Sequence, residues 1–224
     1  MKSVIGHPMG AQVGYIEEGI FKSQDEVDNH AKQDGAAVGR MRWKDLNGDK
    51  VITEADQDWI YDPTPDFSYG FNVYLEYKNF DFTMFWQGVQ GVDVISDLKR
   101  ETDIWAGLNI GFLNKGKRLT EAWSATNPGS NIPALSLSDN NNEKRVSSYW
   151  VENGSYLKLR TIQLGYNLPN SVASRLAMQR MRFYISAQNL LTIHSKSFTG
   201  VDPENPNYGY PIPLNITFGI NVTF

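Results

Sequence analysis

The last eleven residues of the chain alternate strictly between apolar and polar side chains. The apolar positions are Leu214, Ile216, Phe218, Ile220, Val222 and Phe224. Because successive side chains of a β-strand point to opposite faces, this segment predicts a strand with one apolar and one polar face. Its length is that of a tilted strand crossing a bilayer, about 9–11 residues. An edge strand of a soluble sandwich would show the same pattern, so this segment alone leaves both architectures open.

Four further long segments have a period of two and predict strands, at residues 66–78, 80–87, 156–168 and 181–193, with a weaker candidate at 14–21. The alternation slips by one position near Arg160 and Thr161, which predicts a β-bulge there. A short helix is expected after Ser23, because Ser23 and Glu26 have the spacing of a capping box. Two more short helices are expected around residues 118–124 and 171–178.

The connections between the long strands alternate between short and long. The first and third are short, whereas residues 92–154 and 194–212 form long polar connections. Outer-membrane barrels keep this order, with short periplasmic turns and long extracellular loops, and a sandwich has no reason to do so. The predicted fold is therefore all-β: an antiparallel transmembrane β-barrel segment of about five or six strands, with long extracellular loops and short helices.

This fold implies a division of the chain and an orientation. Residues 1–65 are expected to form an extracellular loop region with a short helix, and residues 66–224 the barrel strands with their outer loops. Counting strands from residue 66, the last strand runs inward and places Phe224 on the periplasmic side.

Composition removes several classes of function. The chain has no cysteine, which excludes disulfides, thiolate metal sites and a cysteine nucleophile. Its formal net charge is −4 without a basic run, so nucleic acid is not an expected partner. No segment is long and apolar enough for a membrane helix, and the first residues lack the apolar core of a secretory signal.

The strongest local motif is the loop at residues 45–56, DLNGDKVITEAD. Its spacing is that of a calcium-binding loop, in which several oxygen ligands converge on a tight turn. The predicted ligands are Asp45, Asn47, Asp49, Val51 through its carbonyl, and Asp56. Lys50 stands where such loops have glycine, and Asp56 is shorter than the usual glutamate. Ca²⁺ is thus the expected cofactor, and a metal-free turn rich in Asp and Asn is the alternative.

Aromatic side chains in the loops are candidates for ligand contacts, namely Trp43, Trp59, Trp105 and Trp123. Such rings stack on sugars, but they also pack long loops together, and the sequence leaves both roles open. The three histidines are scattered and no nucleophile has a base at a telling spacing. We therefore predict no enzymatic activity.

Several segments occur together in a characteristic order: YIEEGIFKSQ at 15–24, the DLNGD loop, PDFSYGF at 65–71, FWQGVQG at 85–91, SYLKLRTIQLGYNLP at 155–169, SAQNLL at 186–191 and the final strand. In this combination the chain resembles the C-terminal portion of the SusC/RagA family of TonB-dependent outer-membrane transporters. The resemblance spans nearly the whole chain.

The resemblance implies one part of a barrel of about 22 strands with a plugged lumen. It implies uptake of glycans, or of peptides, across the outer membrane together with a SusD-like surface lipoprotein. It also implies energy from a TonB complex that engages a missing N-terminal part, and contact with outer-membrane lipid. Phe218 and Phe224 would be the signal for the barrel-assembly machinery. The chain shows no plug and no TonB box, so we expect it to be the last quarter or so of a longer transporter.

Two other functions are compatible with these patterns. One is a soluble secreted β-domain whose calcium loop binds polysaccharide or protein. The other is a structural β-protein without a ligand.

Overall fold

The computed structural model describes residues 4–103, 116–136, 138–206 and 209–224. Its strands are β1 (Gln12–Tyr15), β2 (Glu17–Ile20), β3 (Met41–Trp43), β4 (Gln57–Tyr61), β5 (Phe67–Tyr77), β6 (Phe80–Gln90), β7 (Asp93–Ile95), β8 (Val151–Asn153), β9 (Tyr156–Asn167), β10 (Arg180–His194) and β11 (Asn215–Thr223). Its α-helices are α1 (Gln24–Asn29), α2 (Asp97–Asp103) and α3 (Asn170–Ala173). Single turns of 3₁₀ helix lie at Glu54–Asp56, Lys117–Glu121, Ser148–Trp150 and Ser174–Leu176.

The five long strands form one antiparallel sheet in the order β11-β10-β9-β6-β5. Each lies where the alternating pattern predicted it. The connections β5–β6 and β9–β10 are short, and β6–β9 and β10–β11 are long, so the predicted order of connection lengths is also present. The described part of the chain contains no helix that could cross a membrane.

The sheet has one apolar face, made of side chains that pair in rows across all five strands. Three consecutive rows are Val73, Met84, Ile162, Ala187 and Ile216; then Leu75, Phe82, Leu164, Ile185 and Phe218; then Tyr77, Phe80, Tyr166, Phe183 and Ile220. Four of the five members of the third row are aromatic, and this row lies at the end of the sheet that carries the short connections. The apolar face is largely exposed, with Phe218 at 77%.

The opposite face, called the polar face below, is built by the alternate positions of the same strands. One of its rows is Tyr74, Thr83, Gln163, Ser186 and Thr217. Because a strand alternates its side chains with a period of two, a single register keeps all five strands amphipathic in the same sense. The sheet therefore has one apolar face and one polar face.

The predicted bulge in β9 is confirmed. Phe85 of β6 pairs with Thr161 and Trp86 pairs with Leu159, which leaves Arg160 as an extra residue. Opposite it, β10 has an irregularity of its own between Gln188 and Leu191. The two irregularities lie side by side in the sheet.

The remaining segments pack together at the end of the sheet where the long connections leave. The described parts of residues 4–65 and 92–155, called the loop unit below, contain the small strand pairs β1–β4, β2–β3 and β7–β8. Their core consists of Met41, Trp43, Tyr149 and Trp150. Backbone bonds join the two segments, as from the Tyr15 N–H to the Val146 carbonyl at 3.0 Å.

The predicted short helices are present in reduced form. The Ser23 hydroxyl accepts the Glu26 N–H at 3.2 Å, and the Glu26 carboxylate accepts the Lys22 N–H at 2.8 Å, but α1 ends at Asn29. Residues 118–124 hold only part of a 3₁₀ turn. Residues 171–178 hold most of α3 and one 3₁₀ turn.

Candidate functional site

The loop at 45–56 is closed by bonds from its side chains to its own backbone. The Asp45 carboxylate accepts the N–H groups of Gly48 at 2.7 Å and Lys50 at 2.9 Å. The Asn47 side chain accepts the Asp49 N–H at 2.9 Å, and Asp49 accepts the Val51 N–H at 2.8 Å. Three of the predicted ligands, at positions 45, 47 and 49, therefore lie on one turn.

Asp56 plays a different part in this loop. Its side chain is fully buried and accepts the N–H groups of Thr53 at 2.7 Å, Leu46 at 3.0 Å and Asn47 at 3.4 Å. Burial acts to raise the pKa of Asp56, but these N–H groups outweigh it and hold the pKa below its ordinary value. Asp56 thus joins the two ends of the loop through backbone hydrogen bonds.

The loop shows no preformed set of carboxylate ligands for calcium among the described residues. Within the described residues, no three Asp, Glu, His or Cys side chains converge closely enough to hold a metal ion. Asp45, Asn47 and Asp49 keep oxygen atoms near the surface, whereas Asp56 is committed to backbone groups. The fit is therefore partial, and calcium binding stays a prediction.

The tryptophans predicted to contact ligand have different environments. Trp43 is 0% exposed and packs in the core of the loop unit, so its ring has no surface to offer a ligand, and that expectation is corrected to a packing role. Trp59 is half-buried in β4 and stacks on His7, with ring centroids 3.6 Å apart. Trp123 is half-buried over Gly39, where a Cβ would come within 2.6 Å of the ring. Trp105 lies outside the described residues. The three described rings are not brought together into one surface.

A buried polar network within the loop unit was not visible in the sequence. The Tyr149 hydroxyl donates to the Asp103 carboxylate at 2.8 Å, and Arg118 lies 2.9 Å from the same carboxylate. The Lys99 amine lies 4.0 Å from the centre of the Tyr149 ring and 3.8 Å from Glu152. Burial raises the pKa of Asp103 and lowers that of Lys99. No local sequence motif predicts this network, because its members come from separate segments of the chain.

On the polar face, a charged pair spans three strands. The Arg182 guanidinium on β10 donates from Nε to Asp81 on β6 at 2.9 Å and contacts the second Asp81 oxygen through Nη2. The pair passes over Gly165 of β9, where a Cβ would lie 2.5 Å from both side chains. Asn167 donates to the same carboxylate at 3.1 Å. Glycine is required here because any side chain would occupy the space of the bridge.

The second charged group on the polar face ties the last long connection to the sheet. The Lys158 amine is 1% exposed in side chain and donates to Asp202 at 2.7 and 2.8 Å and to Glu204 at 2.8 Å. Arg160, the bulged residue, donates to Glu204 at 2.8 Å and to Gln87 at 2.8 Å. The phase slip at Arg160 was the one sequence signal for this group.

Two aromatic residues at the end of the chain, in and after the terminal strand, have exposed side chains. Phe218 lies in the second apolar row, and Phe224 follows the end of β11, 80% exposed. Only one edge of β11 is paired in the described structure, to β10. In the described structure, these aromatic side chains are therefore exposed and one edge of their strand is unpaired.

Comparison with known proteins was decisive. No protein-family model matches the chain. TonB-dependent receptor P3 of Formosa agariphila is 34% identical over 236 residues, which include 98% of this chain. TonB-dependent receptor SusC of Bacteroides thetaiotaomicron is 26% identical and matches 95% of this chain. Over nearly its whole length, the chain is thus homologous to TonB-dependent receptors that include SusC.

The fold of the chain agrees with that of a solved transporter. The RagAB peptide transporter covers 96% of the chain with a TM-score of 0.70 and 25% identity. The resemblance inferred from the sequence motifs is thereby confirmed, and so is the prediction that the chain is not an enzyme, because its relatives are receptors and transporters.

The chain spans 22% of the length of receptor P3, 20% of SusC and 22% of the RagAB chain. The activity, cargo and partners of a whole receptor are therefore taken up below as proposals.

Proposed function

We propose that this chain is the C-terminal barrel part of a TonB-dependent importer in the outer membrane. The observation that carries the proposal is the set of three apolar rows across all five strands, backed by polar rows on the opposite face. A barrel wall needs this arrangement, because one face meets lipid and the other faces the lumen. The aromatic row at one end fits the girdle of rings at a membrane interface.

The edges of the sheet support a longer barrel. In the described structure, β5 and β11 are each paired along only one edge. An open edge in lipid leaves backbone N–H and C=O groups without partners, at a cost of several kcal/mol each. We propose that further strands of a longer receptor complete the wall, to about 22 strands as in other plugged transporters.

The orientation follows from the connections. We propose that the short connections lie on the periplasmic side, and that the loop unit and the described part of residues 195–214 lie at the extracellular end of the barrel. Phe224 then ends the chain on the periplasmic side, where Phe218 and Phe224 would serve as the signal for the barrel-assembly machinery.

The cargo and partners are proposed from the family. We propose glycans or peptides as cargo, a SusD-like surface lipoprotein as partner, and a TonB complex as the energy source. The named relatives include SusC and a RagAB peptide transporter, which is why both cargo classes are kept.

The rival proposal is a soluble secreted β-domain. Against it stands the exposure of the apolar rows, since large contiguous apolar surfaces are rare on soluble proteins. Phe71, Leu75, Ile216 and Ile220 are each exposed at 45% or more.

A paired substitution tests the membrane proposal on the intact receptor that carries this segment. Ile185→Arg places a charge on the apolar face and Ser186→Arg places the same charge on the polar face of the same strand. We expect only Ile185→Arg to reduce the amount of folded protein in the outer-membrane fraction. Equal effects of both variants, or recovery of the parent protein in the soluble fraction, would overturn the proposal.

We propose separately that the loop at 45–56 binds Ca²⁺ through Asp45, Asn47, Asp49 and the Val51 carbonyl, and that Asp56 closes the loop through its backbone bonds. The spacing and the shared turn support this. Calorimetric titration of the intact receptor with Ca²⁺ should show a binding heat that Asp49→Ala abolishes and Asp58→Ala, an exposed control, retains. A parent protein without binding heat contradicts the proposal.

A further inference from the structure

The connection between β10 and β11, residues 195–214, lies against the polar face of the sheet in its described part. It is held to the rest of the molecule at three places along its length. Its first anchor is Thr199, whose N–H and hydroxyl both donate to the Glu152 carboxylate at 2.8 Å. The Thr199 hydroxyl also lies 3.0 Å from the Ser96 hydroxyl, and the adjacent Phe198 is buried.

The second anchor is ionic and joins the connection to the wall of the sheet. Asp202 and Glu204 meet Lys158 and Arg160 of β9, through the contacts described above. Two cations face two anions, so the cluster has no net charge. The turn that presents the anions is itself fixed, because the Glu204 N–H donates to Asp202 at 3.0 Å.

The third anchor lies at the far end of the connection. The Asn189 side chain donates to the Pro213 carbonyl at 3.2 Å. Asn189 is in the left-handed region, with φ at 56°, within the irregular part of β10 that faces Arg160. The irregularities in both strands thus aim one side chain each at this connection, which is a common use of bulges.

From these contacts we infer that the described part of residues 195–214 forms a strap clamped to the polar face of the sheet, and that Lys158 and Arg160 hold it there. That this face lines a barrel lumen rests on the proposed function. The clamp itself depends only on the contacts of the strap. Its consequence is a connection that stays against the sheet and does not move freely in the external medium.

Cysteine labelling of the intact receptor in outer-membrane vesicles tests the strap. Pro203 is buried in the clamped turn, whereas Val201 is 60% exposed beside it. With a membrane-impermeant maleimide, Pro203→Cys should react at least about tenfold more slowly than Val201→Cys. Adding Glu204→Gln to each should raise the rate at position 203 and leave the rate at 201 unchanged. Equal rates at both positions without Glu204→Gln would overturn the inference.

Two controls keep the result interpretable. Lys196→Gln removes an exposed charge from the same strap and should leave both labelling rates unchanged. Hydrogen exchange on the unsubstituted receptor gives a measurement that needs no cysteine. The N–H groups of Thr199 and Glu204 should exchange slowly, and exchange at the rate of an unstructured peptide would refute the clamp.

The clamp and the proposed function fail in different ways. Slow labelling at position 203 in a protein that does not fractionate with outer membranes would support the clamp and refute the membrane proposal. Fast labelling at position 203 in a receptor that resides in the outer membrane would refute the clamp and support the membrane proposal.

Discussion

The long-stranded sheet and the loop unit use the same apolar residue types in opposite ways. In the sheet, Phe218 is 77% exposed, and its row continues across four neighbouring strands. In the loop unit, Trp43 is 0% exposed and packs with Met41, Tyr149 and Trp150. The difference teaches that the loop unit buries its apolar groups away from water, whereas the exposed apolar face of the sheet suits the apolar solvent that we propose for it.

The largest expected effect is in the loop unit. Trp43→Ala should lower its free energy of unfolding by about 3–5 kcal/mol, because the buried ring leaves a cavity. Pulse proteolysis of the intact receptor in urea measures the loss, with the half-buried Trp59→Ala as the milder control. If the two variants unfold at the same urea concentration, the loop unit has no core of its own around Trp43.

On the sheet, the loss of stability caused by an introduced charge should depend on the face that carries it. Ile185→Arg should lower the free energy of unfolding in lipid by about 2–4 kcal/mol, the cost of a cation that faces the bilayer. Ser186→Arg faces the polar side and should cost little. The urea midpoint of the heat-resistant folded band on a gel compares them, and a larger loss for Ser186→Arg would reverse the assignment of the faces.

A glycine substitution probes the polar face more finely. Gly165→Ala should cost about 1–3 kcal/mol of unfolding free energy, because its Cβ would displace the bridge between Asp81 and Arg182. Gly129→Ala, where a Cβ would meet nothing within 4 Å, is the matched control. The same gel assay should show a shift for Gly165→Ala alone; an unshifted midpoint would mean that the bridge does not stabilise the sheet.

The smallest expected effect is a gain in the loop unit. Lys50 has φ at 65°, a left-handed conformation that favours glycine, and its side chain is exposed. Lys50→Gly should therefore raise the free energy of unfolding by about 0.5–1 kcal/mol. Pulse proteolysis reports it, and a loss of stability would show that the Lys50 side chain makes a contact of its own.

Protonation of Glu204 should release the strap only at low pH. Hydrogen bonds from Arg160 and Lys158 lower the pKa of Glu204 to about 2, against the burial that raises it, from an ordinary value of 4.5. A lowered carboxyl pKa gives stability that is complete above pH 4.5 and is lost as the pH falls through about 2. Hydrogen exchange at Thr199, corrected for its intrinsic pH dependence, should show constant protection from about pH 5 to 8. A release of the strap within that range would contradict this assignment.

Much of the sheet could be predicted from the sequence, because the apolar and polar residues of an amphipathic strand alternate with a period of two. The rows through Met84 and Ile162 follow from a period of two, and the slip in that period at Arg160 predicts the bulge. The charged bridge over Gly165 could not be predicted, since Asp81 and Arg182 are brought together only by the order of three strands.

The candidate site was harder to predict than the sheet. The sequence of residues 45–56 predicted a loop rich in oxygen ligands. It could not predict that Asp56 is buried against three N–H groups, because that burial depends on how the two ends of the loop meet. Trp43 was a candidate for ligand contact in the sequence and a core residue in the structure, because a lone tryptophan in a loop carries no sign of its burial.

By itself, the sequence determined which residues form the long strands, where one bulge lies, how connection lengths alternate and which family the motifs resemble. These features depend on local periodicity and on short motifs, which neighbouring residues specify. Only the tertiary structure decided that the described parts of residues 4–65 and 92–155 share a core, that Asp81 and Arg182 meet over Gly165, and that Glu204 clamps the last connection to β9. Those contacts join residues far apart in the chain, and their free energy depends on the geometry that brings them together.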